Sequence, residues 1–295
     1  MKDKLIRVLT DNQEVRALAV KSTGVVSTAQ ELHQTSPVAT AALGRALTGG
    51  LLMANMELSG SEISLTIRGS GQLKKIMVNA NQDGEVRGYV NNPQVETEIN
   101  DQGKLDVAGA IGAGELVVEK DLGLKDPYRG QIPLVSGEIA EDLTYYFTNS
   151  EQIPSSVGLG VLVDKDLSVR AAGGFVIQVL PEASDETIDQ LEKNIANLQE
   201  VSKIIDEGNG PQELLEKVLA GFDFEIIDEQ DVKFKCKCDR NRMEDLILGL
   251  GEEEIRETLE QEGQVEIRCQ FCGRTYQFSE AEIEELLNEN GDNQN

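Results

Sequence analysis

Four cysteines, Cys236, Cys238, Cys269 and Cys272, are the only ones in the 295 residues, and all fall in the last sixty. They form two close pairs, Cys236-Lys237-Cys238 and Cys269-Gln270-Phe271-Cys272, with thirty residues between them. That is the arrangement a single four-coordinate metal ion requires. Each pair reaches two corners of a tetrahedron, and the intervening chain folds back to bring the pairs together. Soft thiolates in a tetrahedral set suit Zn2+, which brings no redox chemistry of its own. An iron–sulfur cluster uses the same four ligands, and spacing alone leaves it open. Four protein ligands leave no open coordination position, so a hydrolytic zinc is not expected, and the one histidine, His33, is far away in sequence.

Magnitudes decide what such a site can do. A segment of this size draws roughly 3–5 kcal/mol from its own packing. Zinc on four thiolates supplies apparent folding free energy on the order of 10–16 kcal/mol. The metal is therefore expected to hold the segment folded. Metal coordination also keeps sulfur as thiolate, the form that oxidants attack. Oxidation to disulfides would remove the ligands and release the ion. The same four residues can hold a fold and sense an oxidant.

The elements that must carry these thiols follow from patterning. The sequence predicts an α+β protein: an N-terminal antiparallel-sheet body with helices over 1–181, a helical linker over 182–231, and a small four-cysteine zinc domain over 232–295. In the body, Leu5–Thr10 and Val15–Val20 flank a turn at Asp11-Asn12, a hairpin signal. Ile63, Leu65 and Ile67 alternate with polar neighbours as on a half-buried strand. A second hairpin runs from Lys74–Val78 through Asp83-Gly84 to Val86–Val90. Thr40–Leu58 reads as a helix with Pro37 near its start. Strands are expected at Leu116–Glu119 and Gln131–Val135, a helix capped by Ser136 and carrying Ile139, Leu143 and Tyr146, and closing strands at Gly158–Val163 and Ser168–Val179.

Beyond Pro181 the texture changes. Ile188, Leu191, Ile195 and Leu198 form one stripe of a helix over Ser184–Glu200. A short helix with Val201, Ile204 and Ile205 follows, and Pro211 opens another with Leu214, Leu215, Val218 and Leu219. Helices this short are unstable alone and must lie on a surface, for which the body is available. From Phe222 a strand leads into Cys236. Helical stretches at Met243–Leu248 and Glu252–Gln261 fill the gap between the thiol pairs, and Val265–Arg268 leads into Cys269. Gly273 supplies the turn, Ser279 with Glu282 forms a capping box for a helix over Ala281–Asn288, and a polar tail follows from Asn290.

These residues resemble the redox-regulated heat-shock protein 33 chaperones. The cysteine spacing carries the resemblance, together with the stretches His33–Arg45, Tyr128–Asp142 and Tyr146–Ser155, and it covers essentially the whole chain. What it implies is a holdase, an ATP-independent chaperone for unfolded or partly unfolded client proteins, and not an enzyme. In that family the reduced, zinc-bound form is inactive. Oxidation forms disulfides between neighbouring cysteines, by analogy Cys236–Cys238 and Cys269–Cys272, and releases the one Zn2+. The redox domain and linker then unfold, and the active species is commonly a homodimer. The linker stripe would become the exposed apolar surface.

Charge bears on the alternatives. There are 53 acidic residues against 27 basic ones, a formal charge of −26. Such a chain repels nucleic-acid phosphates and anionic headgroups, so a zinc-ribbon binder of nucleic acid and a membrane-surface role are not expected. The N-terminus lacks an apolar run of signal-peptide length, and no stretch reads as a membrane span, which points to the cytoplasm. Thiols there are reduced, so metal or redox chemistry is the expected use of these four. A thiol–disulfide oxidoreductase built on Cys269-x-x-Cys272 lacks its usual strand-then-helix frame. A constitutive chaperone with zinc as a structural clip remains an alternative. Gly109–Gly114 lacks the lysine of a phosphate loop and reads as a turn. His33 and Arg45 read as structural, the first through a hydrogen bond, the second through a neighbouring carboxylate.

Overall fold

The computed structural model describes residues 2–57, 60–96, 98–101, 103–123 and 125–293. The chain divides into two compact units, one running to Lys235 and the other beginning at Cys236.

The larger unit is layered. Strands β1 (Lys4–Thr10) and β2 (Val15–Lys21) form the expected hairpin, followed by helices α1 (Thr23–His33) and α2 (Pro37–Ala54). Strands β3 (Glu62–Gly69), β4 (Lys75–Asn81) and β5 (Glu85–Val90), the short helix α3 (Val107–Ile111), and strands β6 (Gly114–Asp121) and β7 (Tyr128–Pro133) come next. Helix α4 (Ala140–Asn149) precedes the long hairpin of β8 (Ser155–Val163) and β9 (Val169–Val179). Helices α5 (Asp185–Ala196), α6 (Val201–Asp206) and α7 (Pro211–Val218) follow, then strands β10 (Phe224–Asp231) and β11 (Lys233–Phe234).

Two sheets result, one in the order β10-β1-β2-β9-β8 and one in the order β11-β5-β4-β3-β6-β7. The first is antiparallel throughout; in the second only β11 runs parallel to its neighbour, β5. Consecutive strands therefore join by hairpins in most places, and the single parallel pair arises where the chain returns from the far end of the first sheet.

Helix α2 lies at the centre of the body. It is apolar along its length, and nearly every residue from Val38 to Ala54 is buried. Its length and composition would suit a membrane span, which the periodicity reading did not anticipate, but most of it is buried within the protein. Helix α2 thus belongs to the core. Leu43, Leu47 and Leu51 pack with Leu5, Leu18 and Val20 of the first sheet and with Ile63, Leu65 and Val78 of the second. The predicted helix over Thr40–Leu58 starts earlier, at Pro37, and ends at Ala54; Leu58 lies outside the described residues.

The opposite face of the first sheet is also covered. Ile6, Val8, Ala17, Phe175 and Ile177 form a second core with Leu191, Ile204, Ile205, Leu214, Leu215 and Val218 from α5, α6 and α7. The linker helices therefore find their surface on the body, as their shortness requires. Their seating depends on glycine at one point: a Cβ on Gly160 of β8 would meet the Ser202 backbone nitrogen of α6 at 2.4 Å. The predicted stripe is only partly buried, because Ile188 stays 37% exposed while Leu191 is 3% exposed.

Two further local expectations differ. Ser136 does not cap α4. Asp142, buried in the first turn, accepts the backbone N–H groups of Val135, Ser136, Gly137 and Ile139, so one carboxylate organises both the turn and the helix entry. Helix α1 was not anticipated, and nothing in its sequence caps it: Ser22 precedes it without a side-chain capping bond. Its apolar residues Val25, Val26 and Ala29 are buried, so packing rather than local signals makes the helix.

The smaller unit contains α8 (Arg240–Leu248), α9 (Glu252–Glu262), the hairpin β12 (Gln264–Arg268) and β13 (Thr275–Ser279), and α10 (Glu280–Asn293). Strand β13 was not anticipated. Met243, Ile247, Ile255, Leu259, Val265, Phe278 and Ile283 make up its buried apolar core.

Candidate metal centre

The thiols are placed by two irregular segments. Cys236 and Cys238 lie in extended chain just before α8, whose start is fixed by Asp239 accepting the Arg242 N–H at 2.8 Å. Cys269 and Cys272 lie in the tight connection between β12 and β13. Within it the Cys269 N–H donates to the Arg274 carbonyl at 2.9 Å and the Gly273 N–H donates to the Cys269 carbonyl at 2.8 Å. Gly273 has φ +72°, a left-handed conformation that glycine adopts at little cost. This is a knuckle whose ring of backbone bonds aims both sulfurs to one side.

The two segments meet. All four Sγ atoms lie within 4.8 Å of one another. Cys236 Sγ is 3.6 Å from Cys269 Sγ, and Cys238 Sγ is 3.4 Å from Cys272 Sγ. A tetrahedral ion with metal–sulfur bonds of about 2.3 Å would set its sulfurs about 3.8 Å apart. The spread of the cluster brackets that value. The cysteines are free thiols, and Cys269 is the most buried of them.

Full ionisation of the cluster would need a cation. Burial pushes the Cys236 thiol up, and burial raises Cys272 as well. Cys238 goes the other way: burial acts to raise it, but hydrogen bonds from Tyr276 and from neighbouring thiols bring it down to about 7. Four adjacent sulfurs cannot all ionise without a compensating positive charge. A divalent metal supplies that charge.

Tyr276 was not singled out from sequence. Its hydroxyl donates to Cys238 Sγ at 3.3 Å from β13. It follows closely on Cys272 but is 38 residues from Cys238, the sulfur it meets, and only the alternation of β13, with Tyr276 and Phe278 on one face, could have pointed to it. Arg240 stacks on the Phe278 ring at 4.2 Å and pairs with Glu282 at 2.6 Å, joining α8 to α10 beneath the thiols. Of the expected Ser279–Glu282 box the structure shows one half: the Ser279 N–H and hydroxyl both donate to the Glu282 carboxylate at 2.8 Å.

The remaining candidate residues are dispersed through the body. His33 Nε2 lies 2.9 Å from the Gly88 carbonyl oxygen, and Arg45 pairs with Glu138. The Gly109–Gly114 segment is helix α3 and a turn: Gly112 has φ +71°, and a Cβ there would strike the Gly71 nitrogen at 2.7 Å. These glycines allow close backbone approach. The Cys269-x-x-Cys272 pair sits between two strands rather than at a helix N-terminus, so it lacks the dipole that activates redox CxxC pairs.

A layered α+β body followed by a four-thiol unit defines a recognisable protein class. The model of the family described as "Hsp33 protein" matches residues 3–279. The chain belongs to that family. It is 48% identical over 287 residues to the "33 kDa chaperonin" of Geobacillus kaustophilus, covering 97% of this chain and 98% of the other. It is 45% identical over 285 residues to the protein of the same name from Bacillus subtilis, covering 96% and 98% respectively. The crystal structure of the 33 kDa chaperonin, a heat shock protein 33 homologue, from Thermotoga maritima superposes with a TM-score of 0.91 at 40% identity. That match covers 99% of this chain and 100% of that one.

Proposed function

We propose that this protein is a redox-regulated, ATP-independent holdase, inactive while reduced and metal-bound, that protects unfolding proteins from aggregation once oxidised. The observation that carries the reading is the convergence of four Sγ atoms within 4.8 Å. Its chaperone character is supported by membership of the family and by relatives named as chaperonins.

In this reading Cys236, Cys238, Cys269 and Cys272 would hold one Zn2+, which supplies charge compensation and the free energy that keeps the unit folded. Hydrogen peroxide, with two protons from solvent, takes two thiolates to a disulfide. One sulfur attacks the peroxide oxygen, the O–O bond breaks and a sulfenic acid forms with release of water. The neighbouring thiolate then attacks that sulfur, and hydroxide leaves to become a second water. The disulfides are Cys236–Cys238 and Cys269–Cys272. The short contacts of the cluster, 236 to 269 and 238 to 272, run across the pairs. Loss of the cluster separates those contacts, whereas sequence neighbours remain close in an unfolded chain.

The functional division we assign is a core domain over 1–181, a linker over 182–231 and a redox-switch domain over 232–295. Displacing α5, α6 and α7 would expose both sides of the second core: Leu191, Ile204, Leu214 and Leu215 on the helices, Val8, Ala17 and Phe175 on the sheet. Apolar surface on that scale suits unfolded chains, and the net charge of −26 favours solubility of a loaded complex. The active form is a homodimer acting in the cytoplasm, with no nucleic-acid or membrane partner.

The test is suppression of aggregation of a chemically unfolded client, without ATP, by zinc-loaded reduced protein and by peroxide-treated protein. Protection only after oxidation, reversed by reduction with zinc restored, is the expected result. Equal protection in both states would make the metal a structural clip on a constitutive chaperone. No protection in either state would remove the holdase reading.

A further inference from the structure

We propose that Tyr276 is a positioning residue of the thiol switch: its hydroxyl donates to Cys238 Sγ, holds that sulfur among the metal ligands and restrains its oxidation. The proposal rests on the zinc-switch reading above and extends it to a residue outside the cysteine motif.

The geometry is specific. Tyr276 lies on β13 opposite Ile267 of β12, so the same ladder that sets the Cys269–Cys272 knuckle also sets the phenol. Its ring is half-buried against the core of the smaller unit, which fixes its direction, and its oxygen reaches Cys238 at 3.3 Å. It therefore ties one thiol pair to the strand that carries the other. Two of the other sulfurs use different donors: Cys236 has the Cys238 backbone N–H and Cys272 the Arg274 backbone N–H.

A hydrogen bond to a thiolate engages the lone pair that must attack a peroxide, so it slows that attack while leaving the metal–sulfur bond in place. Outer partners of this kind typically govern metal affinity by about 10–100-fold. Without the phenol, Cys238 becomes the more electron-rich sulfur. It then takes the peroxide oxygen first, and Cys236 closes the disulfide with loss of water.

The experiment uses full-length Tyr276→Phe beside wild type, both loaded with zinc, with parallel samples loaded with Co2+. Expected for the variant are a roughly tenfold loss of zinc affinity against a chromophoric chelator and faster zinc release by hydrogen peroxide. Differential alkylation and mass spectrometry should find Cys238 oxidised earlier than in wild type. The thiolate-to-cobalt charge-transfer band should move to lower energy, a signature that a purely structural role would not produce. Site-specific fluorotyrosine at 276, a stronger donor of the same shape, should shift both the band and the rate the opposite way, which keeps the test intact if the Phe variant folds poorly. Unchanged band energy and unchanged Cys238 order, in a protein whose wild type releases zinc on oxidation, would overturn the role of Tyr276 alone. A wild type that binds no metal would instead overturn the switch reading on which it rests.

Discussion

The body and the four-thiol unit are held together by different physics. In the body, α2 is buried between two sheets and a second apolar core covers the outer face of one of them. Among the described residues the smaller unit buries seven apolar side chains and one thiol, Cys269; its helix α9 opens on Glu252, Glu253 and Glu254 and α10 on Glu280 and Glu282. Packing suffices for the first; a core as small as the second's supplies only about 3–5 kcal/mol, which is where a ligand on its four thiols would matter. A protein that joins a ligand-independent domain to a ligand-dependent one can lose the order of the smaller without losing the rest. Such an asymmetry is what a chemical switch requires.

The sharpest way to break that comparison is to remove one ligand. Cys269→Ser takes away the most buried thiol and leaves three, and the metal contribution, on the order of 10–16 kcal/mol, goes with it. The expected outcome is loss of amide protection from residue 236 onward, with the body's protection intact, measured by hydrogen exchange. Chelation of the wild type should reproduce the pattern. A variant that melted as one piece would show that the two units share a single stability.

The converse test targets the body. Leu47 is fully buried in α2, and Leu47→Ala should cost about 2–5 kcal/mol, read as a fall in the denaturant midpoint. Metal affinity of the smaller unit should not change. A third substitution probes the linker seat. Gly160→Val drives a side chain into the Ser202 backbone and should destabilise the docking of α6 by about 1–3 kcal/mol. On the proposed function it should also give reduced, zinc-loaded protein some client protection, which the aggregation assay would detect.

The two units also differed in how far their sequences disclosed them. The four-thiol cluster was legible because its chemistry is local: two short cysteine motifs fix the donor type, number and approximate spacing. Tyr276 was not, because a phenol on a strand has no sequence signature for the sulfur it meets. In the body, hairpins with turn residues and helices with periodic apolar faces could be read, and the linker helices could be seen to need a surface. Helix α1 has no capping side chain beside it in sequence, its Val25 N–H being accepted by the distant Asp3 carboxylate, and strand β13 is short, so neither announced itself. Buried polar pairings were invisible for a different reason. Lys120 pairs with Glu57 and Glu151, which come from distant segments and meet only once both sheets have formed. Burial acts to lower Lys120, but its hydrogen bonds to Glu151 and Glu57 hold it above its ordinary value.

The smallest expected effect concerns how the linker is fastened. Glu14, beside the β1–β2 turn, accepts hydrogen bonds from Thr187 and Ser184 at the start of α5, the latter at 3.1 Å. The Thr187 hydroxyl, followed by Ser184, holds the Glu14 carboxyl below its ordinary value of 4.5. A carboxylate depressed by folding contributes stability that is fully present above its unfolded value and lost as pH falls through the folded one. Docking of α5 should therefore be constant at neutral pH and weaken only below about pH 4.5. Glu14 is only partly buried, so the change should be modest, a few-fold rise in amide exchange over 185–196 relative to the α2 core. Glu14→Gln keeps the shape, removes the titration and should abolish the difference between pH 6 and pH 4 in that segment. If α5 loosens equally in the variant, acid acts on the linker through other carboxylates. Glu200 is then the next to examine, since Lys104 at 2.8 Å holds its carboxyl low at the entrance to α6.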